Sequence, residues 1–388
     1  MKKGYYHFVG IYLSIYGALG MMLPLLGPYL KSIGMTGVQV GTITSSATIV
    51  SIIANPFWGA RYHHSHNKKR MVLMLCIAAM LLGFTLSRID EYWLFLAAYA
   101  VLFFFHTPVT PLFDALTLER QYPFGAIRKY GALGFAGGVF IAGQVAQRMG
   151  LPVIFSLFIL GYLVGILLLI LVIRQANQDK RQEAQLHHQE HPGQSKQLNY
   201  LSLLKNKKVV ALLISGFFMY GPSLAHNTYF GFLYQEVGGS VAGIGLAFLL
   251  MAGSEAPMMA YVHKFSEKFT LERILLISMI LSSLRFFWYG TSPSPALLMG
   301  TFFLQGIING IFLIEFVHYI TKQVEPALIG MTMTLYQAIS SNMSTILCQF
   351  AGGILLDYLG SAAVYTFFGA FNLIGILCYL GFGLHKRT

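Results

Sequence analysis

Long apolar runs separated by short polar turns dominate this chain. Twelve of them stand near residues 5–30, 38–60, 71–88, 92–119, 127–147, 152–173, 208–235, 242–262, 272–290, 295–320, 328–356 and 361–384. A helix needs roughly 20 apolar residues to cross a bilayer, so each run predicts a membrane-spanning helix. The first run begins within a few residues of the start and has no small-residue cleavage site behind it, so it reads as a retained span. It carries Gly17, Gly20, Pro24, Gly27 and Pro28, which predict a bent or broken helix. Irregular backbone at that depth is tolerated only where protein or a water-filled cavity covers it.

The one long polar stretch, rich in Gln, His and Lys, runs from about Arg174 to Lys208. It has too little apolar content to bury itself and predicts a mobile linker with one interfacial helical turn. It divides the spans six and six. The two sets look related: at a constant offset of 210, Gly143/Gly353, Gly150/Gly360, Phe158/Phe368, Leu163/Leu373, Gly165/Gly375, Ile166/Ile376 and Leu167/Leu377 are identical pairs. The expected architecture is all-α. Two pseudo-symmetric six-helix bundles, 1–174 and 208–388, are joined by a linker at 175–207.

Composition agrees with a membrane solvent. The chain is 56% hydrophobic and 10% charged, against about 25% charged in soluble domains. The net charge of +12 suggests nucleic acid at first sight, but its distribution argues otherwise. With Arg128 and Arg285 set aside, only Lys31, Arg88 and Arg148 of the remaining 24 basic residues fall in loops on one side. That asymmetry places both termini and the long linker in the cytoplasm, and it accounts for the basic excess without a nucleic-acid partner. Cys76, Cys348 and Cys378 lie inside predicted helices, lack CxxC spacing and read as packing residues. His63, His64 and His66 have no Cys or carboxylate beside them and read as a solvated turn, so no metal is expected.

Ionisable residues at membrane depth are functional candidates. They are His106, Asp114, Arg128, His226, Glu255, Arg285, Glu315 and His318. Asp114 and Arg128 flank one helical hairpin. Either they tie two helices together, or they face a cavity, where a fork of donors and a pair of acceptors suit hydroxyl groups of a solute. Tyr130 and Phe135 follow as rings for stacking. Glu255 is a carboxyl in apolar surroundings, suited to taking up and releasing a proton, and Arg285 is its nearest counter-charge by topology. The alternative is a permanent Glu255–Arg285 salt bridge. Glu315 and His318, three apart, share a helix face as a relay or as a polar stripe near the cytoplasmic mouth. His226 and Asn227 on one helix, and Gln305 with Asn309 on another, are further hydrogen-bonding candidates. Gly131, Gly134, Gly137 and Gly138 have the spacing of close helix packing rather than of a phosphate loop. No nucleotide loop, Ser–His–Asp set or HExxH motif occurs, so neither an enzyme nor an ATP-driven machine is expected.

The hairpin PLFDALTLERQYPFGAIRKYGALGFAGG, followed in order by GSEAPMM, LSSLRFF and VHYITKQVEP, resembles the major facilitator superfamily over essentially the full length. Within it, the chain is similar to lactose permease-like and phenylpropionate permease-like proton symporters. The resemblance implies that Asp114, Arg128 and Phe135 bind a sugar-like solute, that Glu255 carries the coupling proton and that Arg285 tunes it. The chain departs from the sugar permease at Gln305 and Ile308, at His226 and Asn227, at Ser341 and Asn342, and in having Phe135 rather than Trp. It also lacks the Gly-Pro signature of drug antiporters, since Gly137 is followed by Gly138.

The expectation is a multi-pass, monomeric transporter of the cell membrane with no bound cofactor, energised by a proton gradient. Its partners are protons, the lipid bilayer and a small polar solute: a sugar first, a nucleoside or aromatic acid otherwise. Binding falls to Asp114, Arg128, Phe135, Tyr130, Asn227 and Gln305, and coupling to Glu255, Arg285, Glu315 and His318. Proton-driven multidrug efflux is the alternative.

Overall fold

The structure is a computed structural model and describes residues 2–120, 122, 124–182, 206–266, 270–325 and 328–385. Among them there is no strand, and twelve helical rods follow one another. They are α1 (Lys2–Ser32), α2 (Gly37–His64), α3 (Lys68–Leu86), α4 (Tyr92–Glu119), α5 (Phe124–Met149) and α6 (Val153–Gln182). After the linker come α7 (Lys207–Glu236), α8 (Val241–Ser266), α9 (Leu271–Tyr289), α10 (Pro295–Lys322), α11 (Ile329–Leu359) and α12 (Ser361–Gly381). Several starts are capped by side chains. Thr36 and Gln39 form a reciprocal capping box on α2, Glu91 caps α4, and Asn206 caps α7, each satisfying N–H groups that the helix itself cannot.

Ten of these helices are long and apolar enough to cross a membrane by composition alone. The other two are α5, diluted by six glycines, and α9, which carries Glu272, Arg273 and Arg285. Both are lined by neighbouring helices: α5 packs on α1 and α8, and α9 on α12 and α10. Protein contact there replaces the apolar surface that lipid would require.

The expected break in α1 is absent: it runs as one α-helix through Pro24 and Pro28. The irregularities lie elsewhere. In α4 the helix is interrupted at Thr107–Pro108. In α10 and α11, π-turns occupy Phe312–Phe316 and Tyr336–Met343. Such turns recur at functional sites. α6 continues as helix to Gln182, beyond the predicted boundary at 174, whereas the mobile linker expected further on lies outside the described residues.

Helices α1–α6 pack mainly among themselves, as do α7–α12, and the largest contacts between the sets are α5 with α8, α2 with α11, and α1 with α7. These contacts gather at the ends of the rods that carry the short turns near residues 34, 150, 238 and 360. The Asp357 carboxylate at the end of α11 accepts the N–H groups of Gly37 (2.5 Å) and Val38 (2.8 Å) at the start of α2. Lys31 lies 3.7 Å from Glu236. Gln147 accepts from the Ala242 N–H at 3.3 Å.

The repeat has a backbone meaning here. Gly150 and Gly360 both turn the chain with positive φ, +88° and +81°, a region glycine enters without strain. Gly143 and Gly353 both stand where the two sets touch. A Cβ on Gly143 would meet the Gly245 backbone at 3.0 Å, and one on Gly353 would run into the Gly37 carbonyl.

Candidate functional site

The first polar cluster grows from the seam between α1 and α5. Gly131 faces the ring of Tyr16, Gly134 faces the Leu13 carbonyl and Gly138 faces the Gly17 carbonyl, so the backbones approach as closely as helices can. These glycines therefore serve helix packing, as their spacing predicts. Asp114 lies in the part of α4 that follows the interruption at Thr107–Pro108 and forms a direct ion pair with Arg128 of α5. Tyr12 of α1 donates to the other Asp114 oxygen at 2.6 Å and lies 3.1 Å from the Thr117 hydroxyl. Tyr16, stacked on Tyr12 with ring centroids 5.8 Å apart, lies 5.9 Å from the Arg128 guanidinium.

Burial decides how this pair can act. The Arg128 side chain is 49% exposed and that of Asp114 18%. The pair is thus covered on the acid side and exposed on the arginine side. Phe135 is half-buried on α5, seven residues after Arg128 and so on the same face. Tyr130 is half-buried with Lys129 5.2 Å from its ring centroid. Tyr12 and Tyr16 were missed in the sequence. Their signal was faint: two phenols four apart on an otherwise apolar helix.

The second cluster lines a cavity of about 190 Å³ between α7, α8, α9 and α10. Glu255, Asn227, Ser223, Asn309, Ser282 and Tyr220 supply its polar wall. Behind it Gln305 is fully buried and donates to Asn309 at 3.1 Å and to Ser223 at 3.4 Å, while Ser223 donates to Asn309 at 3.1 Å. Gln305 thus sits outside the cavity wall and orients the groups that form it. Gly306 and Gly310 let α10 close on α8 beside Glu255: their added Cβ atoms would strike the Met251 and Glu255 backbones.

Arg285 does not reach Glu255. It is 2% exposed, and among the described residues no acidic side chain pairs with it; its polar neighbour is the Tyr289 hydroxyl. Its guanidinium lies 4.3 Å from the Phe286 ring centroid and 5.1 Å from that of Tyr289. The permanent salt bridge considered from the sequence is therefore absent in this structure. His226 is buried and paired through Nδ1 with the Tyr365 hydroxyl at 2.8 Å, a bond between helices rather than a solute contact. His106 is bonded likewise to Tyr162. Glu315, in the π-turn of α10, is buried with its side chain 2% exposed and lies 3.6 Å from His318, whose ring is 49% exposed.

The family described as MFS_1 like family matches residues 5–367. The chain is 30% identical to the maltose permease of Geobacillus stearothermophilus over 97% of its own length and 94% of that protein. It is 25% identical to a protein of Escherichia coli K12 described as a probable 3-phenylpropionic acid transporter, over 90% of both chains. Among solved structures, that of the nucleoside transporter NupG superposes with a TM-score of 0.82 at 14% identity, over 99% of this chain and 100% of that one.

Proposed function

The chain belongs to the MFS_1-like family of major facilitator permeases, a multi-pass membrane transporter and not an enzyme, and from that premise we propose that it takes up a small hydroxylated solute, a disaccharide first, in symport with a proton. The observation that carries this reading is the solvent-reached Asp114–Arg128 pair bordered by Tyr12 and Tyr16. An acid and an arginine that hold each other bring acceptors and donors together in one place suited to hydroxyls, without leaving a bare charge when the solute departs. The full-length similarity to a maltose permease supports a sugar over a nucleoside or aromatic acid.

Glu255 is the coupling acid in this reading. It faces the cavity, stands among amides and hydroxyls, and has no cation paired with it among the described residues. A carboxyl so placed exchanges charge for a proton as the cavity opens to one side or the other. Arg285, buried against rings with no acidic partner among the described residues, is a charge that gains from any carboxylate brought to it, since an unpaired buried ion is strongly unfavourable. Glu315 and His318 form the last polar step toward the helix ends that bear the termini. With α2–α11 and α5–α8 closed at the opposite ends, and the termini cytoplasmic by the charge asymmetry, this is an inward-facing arrangement of alternating access.

The test is uptake by proteoliposomes under an imposed proton gradient, with maltose, a nucleoside and 3-phenylpropionate offered separately. Accumulation of maltose that needs the gradient, and that is lost in Arg128→Ala, supports the proposal. Gradient-driven extrusion of several lipophilic cations, unchanged in Arg128→Ala, would instead establish efflux and leave the Asp114–Arg128 pair as a structural tie.

A further inference from the structure

On the outer face of the first six helices, α3 and α6 leave a groove of about 610 Å³ between them. Its floor is apolar, formed by Leu73, Ile77 and Leu81 of α3 and Ile173 of α6, and its mouth holds Arg70 and Arg174. Both arginines are exposed, and neither has an acidic partner among the described residues. Their neighbour Lys68, by contrast, is matched by Glu119 at 2.8 Å. Two unmatched cations therefore stand at the edge of an apolar surface.

The dimensions identify what fits. Arg70 and Leu81 are eleven residues apart on one straight helix, which is about 16 Å of rise. That is roughly half of the ~30 Å hydrocarbon core, or one leaflet. Both arginines lie on the side where the basic loops gather. Leu81 at 57% exposure and Ile77 at 38% face outward, where only lipid can cover them.

We propose that this groove is a binding site for one anionic phospholipid of that leaflet, with an acyl chain along α3 and α6 and the phosphate between Arg70 and Arg174. A zwitterionic lipid would bring its amine to a mouth that offers two cations and, among the described residues, no acid, so the site selects net negative charge. Basic pockets between membrane helices select anionic headgroups in this way.

The experiment exchanges the purified full-length protein against phosphatidylglycerol and against phosphatidylcholine and counts retained lipid by native mass spectrometry. Wild type is expected to retain phosphatidylglycerol preferentially. Arg70→Gln or Arg174→Gln lowers that preference about fivefold and the double variant about thirtyfold, each arginine acting near the surface. Ala78→Trp, which fills the groove and keeps both arginines, also releases the lipid. Arg61→Gln, which removes an exposed cation outside the groove, leaves retention unchanged. Equal retention of the two lipids by wild type overturns the proposal. So does an Arg61→Gln loss as large as that of Arg70→Gln, which would mean a general surface attraction, or undiminished retention in Ala78→Trp, which would mean that no chain occupies the groove.

Discussion

Each set of six helices carries an acid and an arginine at membrane depth, and the two sets treat them differently. Asp114 and Arg128 touch, share Tyr12 and Tyr16 as neighbours, and are open to solvent on the arginine side. Glu255 and Arg285 are apart: the acid faces a cavity among amides, and the cation is sealed against aromatic rings. One pair is complete at rest and suited to holding a neutral polar solute. The other makes no salt bridge among the described residues, and in the proposed reading its acid carries the proton and its arginine acquires a partner. Placing binding at the satisfied pair and coupling at the unsatisfied one keeps solute release from exposing a bare charge.

The largest effect that would break this contrast is at Arg128. Arg128→Ala removes a charge-assisted fork worth roughly 1.5–3 kcal/mol. Solute affinity is expected to fall about ten- to hundredfold in a binding titration, with Arg128→Lys intermediate because the charge remains while the fork is lost. Unchanged affinity in Arg128→Ala would remove the binding role from the first pair. Next comes Glu255→Gln, a neutral isostere of the protonated acid. It is expected to abolish uphill accumulation while solute counterflow, which needs no net proton movement, persists. Equal loss of both activities would make Glu255 a binding or structural group.

Arg285→Met sharpens the same comparison through stability. Replacing a buried unpaired cation by an apolar side chain of similar length is expected to be neutral or stabilising, by up to about 1–4 kcal/mol. Thermal unfolding should therefore hold or rise while gradient-driven uptake falls. A large drop in unfolding temperature would show that Arg285 is satisfied by a partner and is part of the packing. The smallest effect belongs to Tyr12→Phe. It deletes one hydrogen bond to the Asp114 carboxylate, a bond made without solute present, and a weakening of solute affinity by several-fold at most is expected in the same titration.

Much of this was legible along the chain because membrane helices announce themselves by apolar length, and every rod appears where a run predicts it. Helix ends followed too: the Gly150 and Gly360 turns coincide with a repeated glycine whose positive φ explains the identity. The ion pair was legible because Asp114 and Arg128 are fourteen residues apart across one tight hairpin, so local geometry nearly forces them together. The other pair was not. Thirty residues and a helix turn separate Glu255 from Arg285, and their rotation about each helix axis is set by which neighbours each rod meets. The roles of Tyr12 and Tyr16 were hidden for the same reason, since Asp114 and Arg128 come to them from other helices, as was the bond of Gln305 to Ser223.

By itself the sequence determined that this chain spans a membrane, where along it the helical rods lie, and which few polar residues the membrane would have to accommodate. Backbone hydrogen bonds in hydrocarbon must be satisfied within each helix, so those properties are local. Tertiary structure alone decided which polar side chains meet, which cation is buried against aromatic rings and which ends of the rods close. Those outcomes depend on how close glycine backbones can approach, at Gly20, Gly138, Gly143 and Gly353, and on the rotation of each helix that such contacts impose.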